Sequence, residues 1–415
     1  MKKLLVFLAV TASCCISNAQ QYDYLENLKA HPEQMSGCDY LCPTDNTPLT
    51  ATPQGYEAFY ISHYSRHGAR YAWQSDLYDR IRDVLFEADS LDNLTPIGKE
   101  YLAKFRKIYP EIQYSYGELS RKGWEQQQNL GKLMYTRFPE VFDDNSKVTA
   151  ATSPVQRCVM SMSAFCLGLN DCNPEIEITE NVGRLYLHQT IPQSKDNPFR
   201  IEAPKCELLF TETWPEYIER SIDYRAILDR VFIDKERQLP SDKQWDFLYY
   251  LNYFAHGMAS LDTDLSFSEI FTEEECLALW KIDCFQFYTV AWPTHLGYRP
   301  IVQDIISCAE KRLASGEKGA ELRFGHDTSF LPLLMNLGVN GYDHECENGD
   351  EIPVWCRMND VPMAANLILV FYRPSTGNDG DILIKALLNG KEARLPLPDS
   401  KFPYYRWEDF KEKWK

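Results

Sequence analysis

Ser65–Arg66–His67–Gly68–Ala69–Arg70 is the stretch around which this chain of 415 residues is organised. It sets an imidazole between two guanidiniums, with a glycine directly after the histidine. The residues before it, Tyr56 to Tyr64, are dense in aromatics and predict a strand. Those after it, Leu77 to Phe86, carry apolar residues at helical spacing and predict a helix. A strand entering a helix through a short polar turn is the unit of an open α/β sheet, which presents ligand groups at such turns. Two arginines at one turn match an oxyanion, because each guanidinium donates a planar fork of N–H groups.

The same junction recurs twice. Lys147 to Thr152 predicts a short strand, and Ser153–Pro154 a helix start with proline at the first helical position. That helix carries Arg157 in its first turns and runs to about Leu169. Farther on, Ala320 to Phe324 predicts a strand, followed by Gly325–His326–Asp327–Thr328 and a helix from Phe330 to Leu337 that Gly338 stops. Further helices are expected from Pro96 to Lys107, from the cap Ser120 through Gly123, Gln127 and Gly131 to Phe138, from Tyr298 to Leu313, and in the tail from Tyr404. Asn366–Tyr372 and Asp381–Leu388 read as strands, the second ending in the hairpin signal Asn389–Gly390. Residues 20–53 read as a loop-rich lead-in. From 184 to 295 the texture changes to helical patterns rich in Trp, Tyr and Phe, at Trp214–Ile233, Lys243–Met258 and Glu273–Ala291. The expected fold class is therefore α/β. A mostly parallel sheet flanked by helices forms a discontinuous core (20–183 and 296–415), with an all-helical cap inserted at 184–295.

The totals narrow the function. At 44% hydrophobic and 25% charged the chain is globular. A net charge of −17 excludes a general nucleic-acid binder, so an anionic substrate must be drawn by a local basic pocket. Lys2 and Lys3, the apolar run Leu4–Val10 and the small residues Ser17–Asn18–Ala19 form a secretory leader over 1–19, too short to span a membrane. Secretion or a periplasmic location is the expectation. Thr11–Ala12–Ser13–Cys14 loosely resembles a lipoprotein box, but threonine stands where leucine is usual, so cleavage near Ala19 is favoured over a lipid on Cys14. No later segment spans a bilayer. Of 13 cysteines, 11 follow the leader. In an oxidising compartment the close pairs Cys38–Cys42, Cys166–Cys172, Cys276–Cys284 and Cys346–Cys356 are candidate disulfides. Zinc on His344, Cys346 and Cys356 is the weaker rival, because the spacing fits no zinc template.

In a parallel sheet the three junctions gather at one edge, over helix N-termini that favour anions. Arg66, Arg70, Arg157, His67, His326 and Asp327 then form a socket for a dianionic phosphate. Phosphoryl transfer needs an in-line nucleophile and fixed positive charge on the equatorial oxygens. A neutral imidazole supplies the first, His67, and arginines supply the second. The leaving alkoxide needs a proton, for which Asp327 is the general acid. His326 contacts the phosphate. The chemistry requires no metal or cofactor, and the partner is a small phosphomonoester.

Arg66–His67–Gly68–Ala69–Arg70, then Arg157, then His326–Asp327 resembles the histidine acid phosphatases, the second branch of the histidine phosphatase superfamily. The resemblance covers nearly all of the chain after the leader. It implies a phosphoglycerate-mutase-like core and phosphomonoester hydrolysis through a phosphohistidine on His67. It also implies Arg66, Arg70, Arg157 and His326 as phosphate ligands and Asp327 as proton donor. The family includes general acid phosphatases, glucose-1-phosphatases, phytases and multiple inositol polyphosphate phosphatases. One departure is Arg70–Tyr71–Ala72, where the family's first motif usually continues Arg-x-Pro. His326–Asp327 tilts the resemblance toward the acid phosphatase and phytase type. Arg184, Lys195, Arg200 and Lys205 form a modestly basic stretch that is as well read as a solvated loop as a binding site for extra phosphates of a substrate such as phytate. His63 reads as a buried core histidine. His188, His256 and His295 carry no assigned role. The rival from another class is a catalytically silent phospho-ligand binding protein on the same fold.

Overall fold

The structure is a computed structural model that describes residues 24–143, 145–375, 380–398 and 402–415. The expected leader and Cys14 lie outside these residues. Among them the helices are α1 (Tyr24–Ala30), α2 (Asp76–Ser90), α3 (Pro96–Ile112), α4 (Arg121–Arg137), α5 (Gln156–Cys172), α6 (Leu187–Thr190), α7 (Trp214–Ser221), α8 (Tyr224–Val231), α9 (Lys235–Gln238), α10 (Ser241–Gly257), α11 (Glu273–Ala291), α12 (Arg299–Ser315), α13 (Asp327–Leu337), α14 (Ile352–Trp355) and α15 (Trp407–Trp414). The strands are β1 (Tyr56–Arg66), β2 (Lys147–Thr152), β3 (Glu177–Val182), β4 (Gly319–Gly325), β5 (Asn366–Pro374), β6 (Leu383–Leu388), β7 (Lys391–Ala393) and β8 (Tyr405–Arg406).

They form one mixed sheet in the order β3-β2-β4-β1-β5-β6-β7, with β8 beside β6. Pairing is parallel from β3 to β1 and antiparallel from β1 to β7. The inner strands are apolar on both faces because both faces are covered. On β5, Ile368 and Val370 join a cluster with Met134 of α4, Phe138 just after it, and Met162 and Phe165 of α5. Its alternate residues Leu367, Leu369 and Phe371 join Ile301, Ile305, Trp407 and Phe410 on the opposite face. The Asn389–Gly390 turn forms as expected, with φ of 50° and 83°, the left-handed pair a tight hairpin requires.

Several expectations change. The lead-in is not merely loop: it carries α1 and a 3₁₀ stretch, Pro32–Asp39, packed against α11. The helix expected over Trp214–Ile233 is two helices, broken at Ile222, with Asp223 capping α8 through its carboxylate to Ala226 N. β3 was missed because its side chains are exposed or half-exposed at a sheet edge, so no buried alternation marks it. α5 begins at Gln156 rather than at Pro154.

All eleven described cysteines are free thiols, which corrects the disulfide expectation. Cys166 and Cys172 share α5, and Cys276 and Cys284 share α11. Rises of about 9 and 12 Å along a helix put such pairs beyond disulfide reach. His344 stacks on Trp355 at 4.2 Å and belongs to no metal-ligating cluster. Among the described residues no helix is long and apolar enough to cross a membrane.

Candidate active site

The parallel strands β2, β4 and β1 are contiguous, and their register aligns their ends: Arg66 pairs with Gly325, and Thr152 with Phe324. The three turns that follow therefore open at one level. The turn after β1 is fastened from every side. His67 N donates to Gly325 O at 3.0 Å, and Ala364, held at a left-handed φ of 62°, donates to His67 O at 2.9 Å. Gly68 N donates to Ser161 Oγ and Ala69 N to Gln126 Oε1, while Gln127 Nε2 donates to Arg66 O. The first turn of α4 lies directly under it. A Cβ on Gly68 would come within 2.4 Å of Gly123 O, and one on Gly123 within 2.1 Å of Ala69 O. This close approach is why the Ser120–Gly123 signature accompanies the histidine turn.

The structure brings together all six residues expected to act. Arg66 Nη2 contacts Asp327 Oδ2 at 2.7 Å. The His67 and His326 rings meet edge to face at 5.3 Å. Arg157, on the first turn of α5, places Nη2 at 3.4 Å from His326 Nδ1. Arg66, His67, Arg70 and His326 are buried and Arg157 half-buried. The Nε–H groups of Arg66, Arg70 and Arg157 are buried with no hydrogen-bond partner among the described residues. A buried donor left unmade costs about 1–3 kcal/mol, so three of them at one site describe a cradle for an anion.

The protonation states follow from the surroundings. His67 Nδ1 lies 2.9 Å from Gly68 O. A carbonyl only accepts, so the proton sits on Nδ1 and Nε2 keeps its lone pair. Burial, then the charges of Arg66, His326, Arg70 and Arg157, push the His67 imidazolium well below its ordinary range. Burial and Arg157 do the same to His326. Burial raises the Asp327 carboxyl, but Arg66, Arg70 and His326 outweigh it and hold it below the usual carboxylate range. Asp327 is the first residue of α13, where a negative charge meets the helix dipole, and its Oδ1 accepts from Thr328 N at 2.7 Å.

Four neighbours were not found from the sequence. Tyr253 of α10 accepts from Arg70 Nη1 at 2.5 Å; among many helical aromatics it carried no distinguishing signal. Cys38 O accepts from Arg66 Nη1, and Asp39 follows it, 4% exposed, in the lead-in. Cys158 Sγ lies 3.4 Å from His326 Nε2. Arg184, Lys195, Arg200 and Lys205 are exposed and make no side-chain hydrogen bond or ion pair among the described residues. Of these, Arg200 acts on Tyr298, whose hydroxyl is pushed up to about 12 by burial and by Asp327. His63 is buried between Phe165 and Phe324, both ring nitrogens unpartnered among the described residues rather than hydrogen-bonded. His295 Nδ1 donates to Trp292 O, His188 lies on Phe199, and His256 is on α10; none reaches the socket contacts above. Among the described residues no group of three or more His, Cys, Asp or Glu is placed to hold a metal ion.

The family model for the histidine phosphatase superfamily (branch 2) matches residues 64–288. No curated protein matches the chain significantly. Among solved structures, the Bifidobacterium longum multiple inositol polyphosphate phosphatase in complex with inositol hexasulfate superposes with a TM-score of 0.71 at 16% identity, over 91% of this chain and 97% of that one. The phytase from D. castellii gives 0.67 at 15% identity, over 92% and 84%. The Hafnia alvei phytase in complex with myo-inositol hexakis sulphate gives 0.52 at 14% identity, over 88% and 97%. At these identities the likeness is one of fold. The family match runs over more than half of the chain and begins at the strand end that carries His67, so this protein belongs to branch 2 of the histidine phosphatase superfamily.

Proposed function

We propose that the protein is a phosphomonoester hydrolase that works through a phosphohistidine on His67. The observation that carries this reading is the His67 tautomer: Nδ1–H is tied to Gly68 O, leaving a bare Nε2 among three arginines with unpartnered donors. Nε2 attacks phosphorus as the bond from phosphorus to the ester oxygen breaks. The departing electron pair takes a proton from Asp327. Water then attacks phosphorus as the N–P bond breaks and its electron pair returns to Nε2, the water gives a proton to the Asp327 carboxylate, and inorganic phosphate and free His67 result. Arg66, Arg70, Arg157 and His326 bind the equatorial oxygens and keep their charge or proton throughout.

In the free protein Asp327 is ionised, because Arg66 lies against it. An arriving phosphate dianion neutralises Arg66 and adds its own negative charge nearby. Both raise the Asp327 carboxyl, so the substrate itself prepares the proton donor. Inositol phosphates are the first substrate class to examine, given the fold shared with phytases. The leader at 1–19 supports a secreted or periplasmic location. The silent-binder alternative has no feature in its favour, since His67 and Asp327 are both present.

Purified protein is expected to release phosphate from 4-nitrophenyl phosphate, and His67→Ala to lose about 10⁴-fold or more in kcat. An intact rate in His67→Ala would sink the mechanism.

A further inference from the structure

We propose that Asp39 and Asp283 form a hydroxyl-binding subsite on the leaving-group side of the socket, which selects phosphomonoesters of polyols bearing free hydroxyls beside the scissile phosphate over polyphosphorylated ones. The proposal rests on the phosphatase reading of the same site.

Asp39 ends the 3₁₀ stretch Pro32–Asp39 and is 4% exposed, yet it makes no hydrogen bond or ion pair among the described residues. A buried carboxyl without donors is costly, which marks a place where a ligand supplies them. Its position follows from its neighbours. Cys38 O takes Arg66 Nη1, and a Cβ on Gly37 would lie 3.8 Å from Asp283 Oδ2. The lead-in is thus wedged between the phosphate-binding Arg66 and the helical segment that carries Asp283 on α11. Asp283 likewise has no hydrogen bond or ion pair among the described residues, nor does the hydroxyl of Tyr249. Tyr249 lies one turn before Tyr253 on α10, their rings 6.4 Å apart, and Tyr253 Oη takes Arg70 Nη1. Arg66 and Arg70 therefore each turn one edge to the phosphate cradle and the other to this wall.

The wall's chemistry is specific. Arg66 links the two carboxylates, its Nη1 on Cys38 O beside Asp39 and its Nη2 at 2.7 Å from Asp327 Oδ2, so Asp39 stands on the side where Asp327 protonates the leaving oxygen. Carboxyls offer acceptors to hydroxyl donors, and a vicinal diol presents two at the right spacing. A second phosphate group here would meet two carboxyls, while the edges of Arg66 and Arg70 that reach this wall are already taken by Cys38 O and Tyr253 Oη. Burial raises both carboxyls, Asp283 to about 7, with the charge of Asp39 adding to the effect. One member of the pair is then protonated near neutrality, and the wall both accepts and donates. A site built to hydrogen-bond a hydroxyl discriminates strongly against a substrate that lacks it.

The test compares kcat/KM for myo-inositol monophosphate, myo-inositol hexakisphosphate and 4-nitrophenyl phosphate in the wild type, Asp39→Asn and Asp283→Asn. The wild type should prefer the monophosphate to the hexakisphosphate. In either variant the ratio of monophosphate to 4-nitrophenyl phosphate should fall about tenfold, and the ratio of hexakisphosphate to monophosphate should rise. Asp283 is half-buried on a long helix, so its variant keeps the test open if Asp39→Asn fails to fold. A wild type that prefers the hexakisphosphate, or ratios that do not move in a folded variant, overturns the subsite while leaving the phosphatase reading intact. No turnover of 4-nitrophenyl phosphate by the wild type overturns that reading and the subsite with it.

Discussion

Asp327 carries two opposed demands. In the free protein Arg66 holds it ionised, at 2.7 Å, while the proposed mechanism needs it protonated against the leaving oxygen. Its value to the reaction therefore depends on how basic the leaving group is. Asp327→Asn should lower kcat on an alkyl phosphate by about 10²-fold and on an aryl phosphate by less than about tenfold, because a phenolate leaves without help. Steady-state kinetics on the two esters check this, and equal losses would show that Asp327 does not donate the proton. These residues were legible because each stands in a motif at a strand end. Asp39 and Tyr253 were not. Asp39 gains meaning only from Arg66 and Asp283, which stand 27 and 244 positions away in the numbering, and Tyr253 resembles every other aromatic of the helical segment.

Among the elements, the histidine turn rests on α4 through backbone rather than side chains. Gly123→Ala would push a methyl to 2.1 Å from Ala69 O, where neither backbone can yield without moving Arg70. It should cost about 1–3 kcal/mol of stability by overpacking, and kcat/KM should fall with it. Thermal unfolding and kinetics read the two losses; a variant of wild-type stability would show that the turn is more compliant than its contacts indicate. α4 repeats the device one face over, where a Cβ on Gly131 would meet Phe165 O at 2.2 Å and one on Gly168 would meet Gln128 O at 2.1 Å. The glycines at 123 and 131 are thus visible in the sequence, but not what they approach. The break of the Trp214–Ile233 pattern was hidden for a related reason: apolar spacing continues across Ile222, and only the packed arrangement ends α7 there.

For the whole molecule, burying neutral histidines sets a limit in acid. His63 is held at about 3 by burial and by Arg323, against about 6.5 in an unfolded chain. Its folded value is depressed, so its contribution to stability is complete above about pH 6.5 and is lost as pH falls toward 3, where the unfolded chain takes the proton first. His67 and His326 act in the same direction. The wild-type Tm should therefore drop between pH 6.5 and 4, and His63→Leu, placed between Phe165 and Phe324, should drop less over that window. Parallel melting curves would refute this. The α/β class, most of the strands and the six residues of the socket were determined by the sequence alone, because hydrophobic period, helix caps and strand-end motifs are local signals. The strand order that aligns β2, β4 and β1, the wall that the lead-in builds beside Arg66, and the free state of the cysteines were decided only by tertiary structure. Each depends on which surfaces bury one another across long separations, and no local pattern encodes that choice.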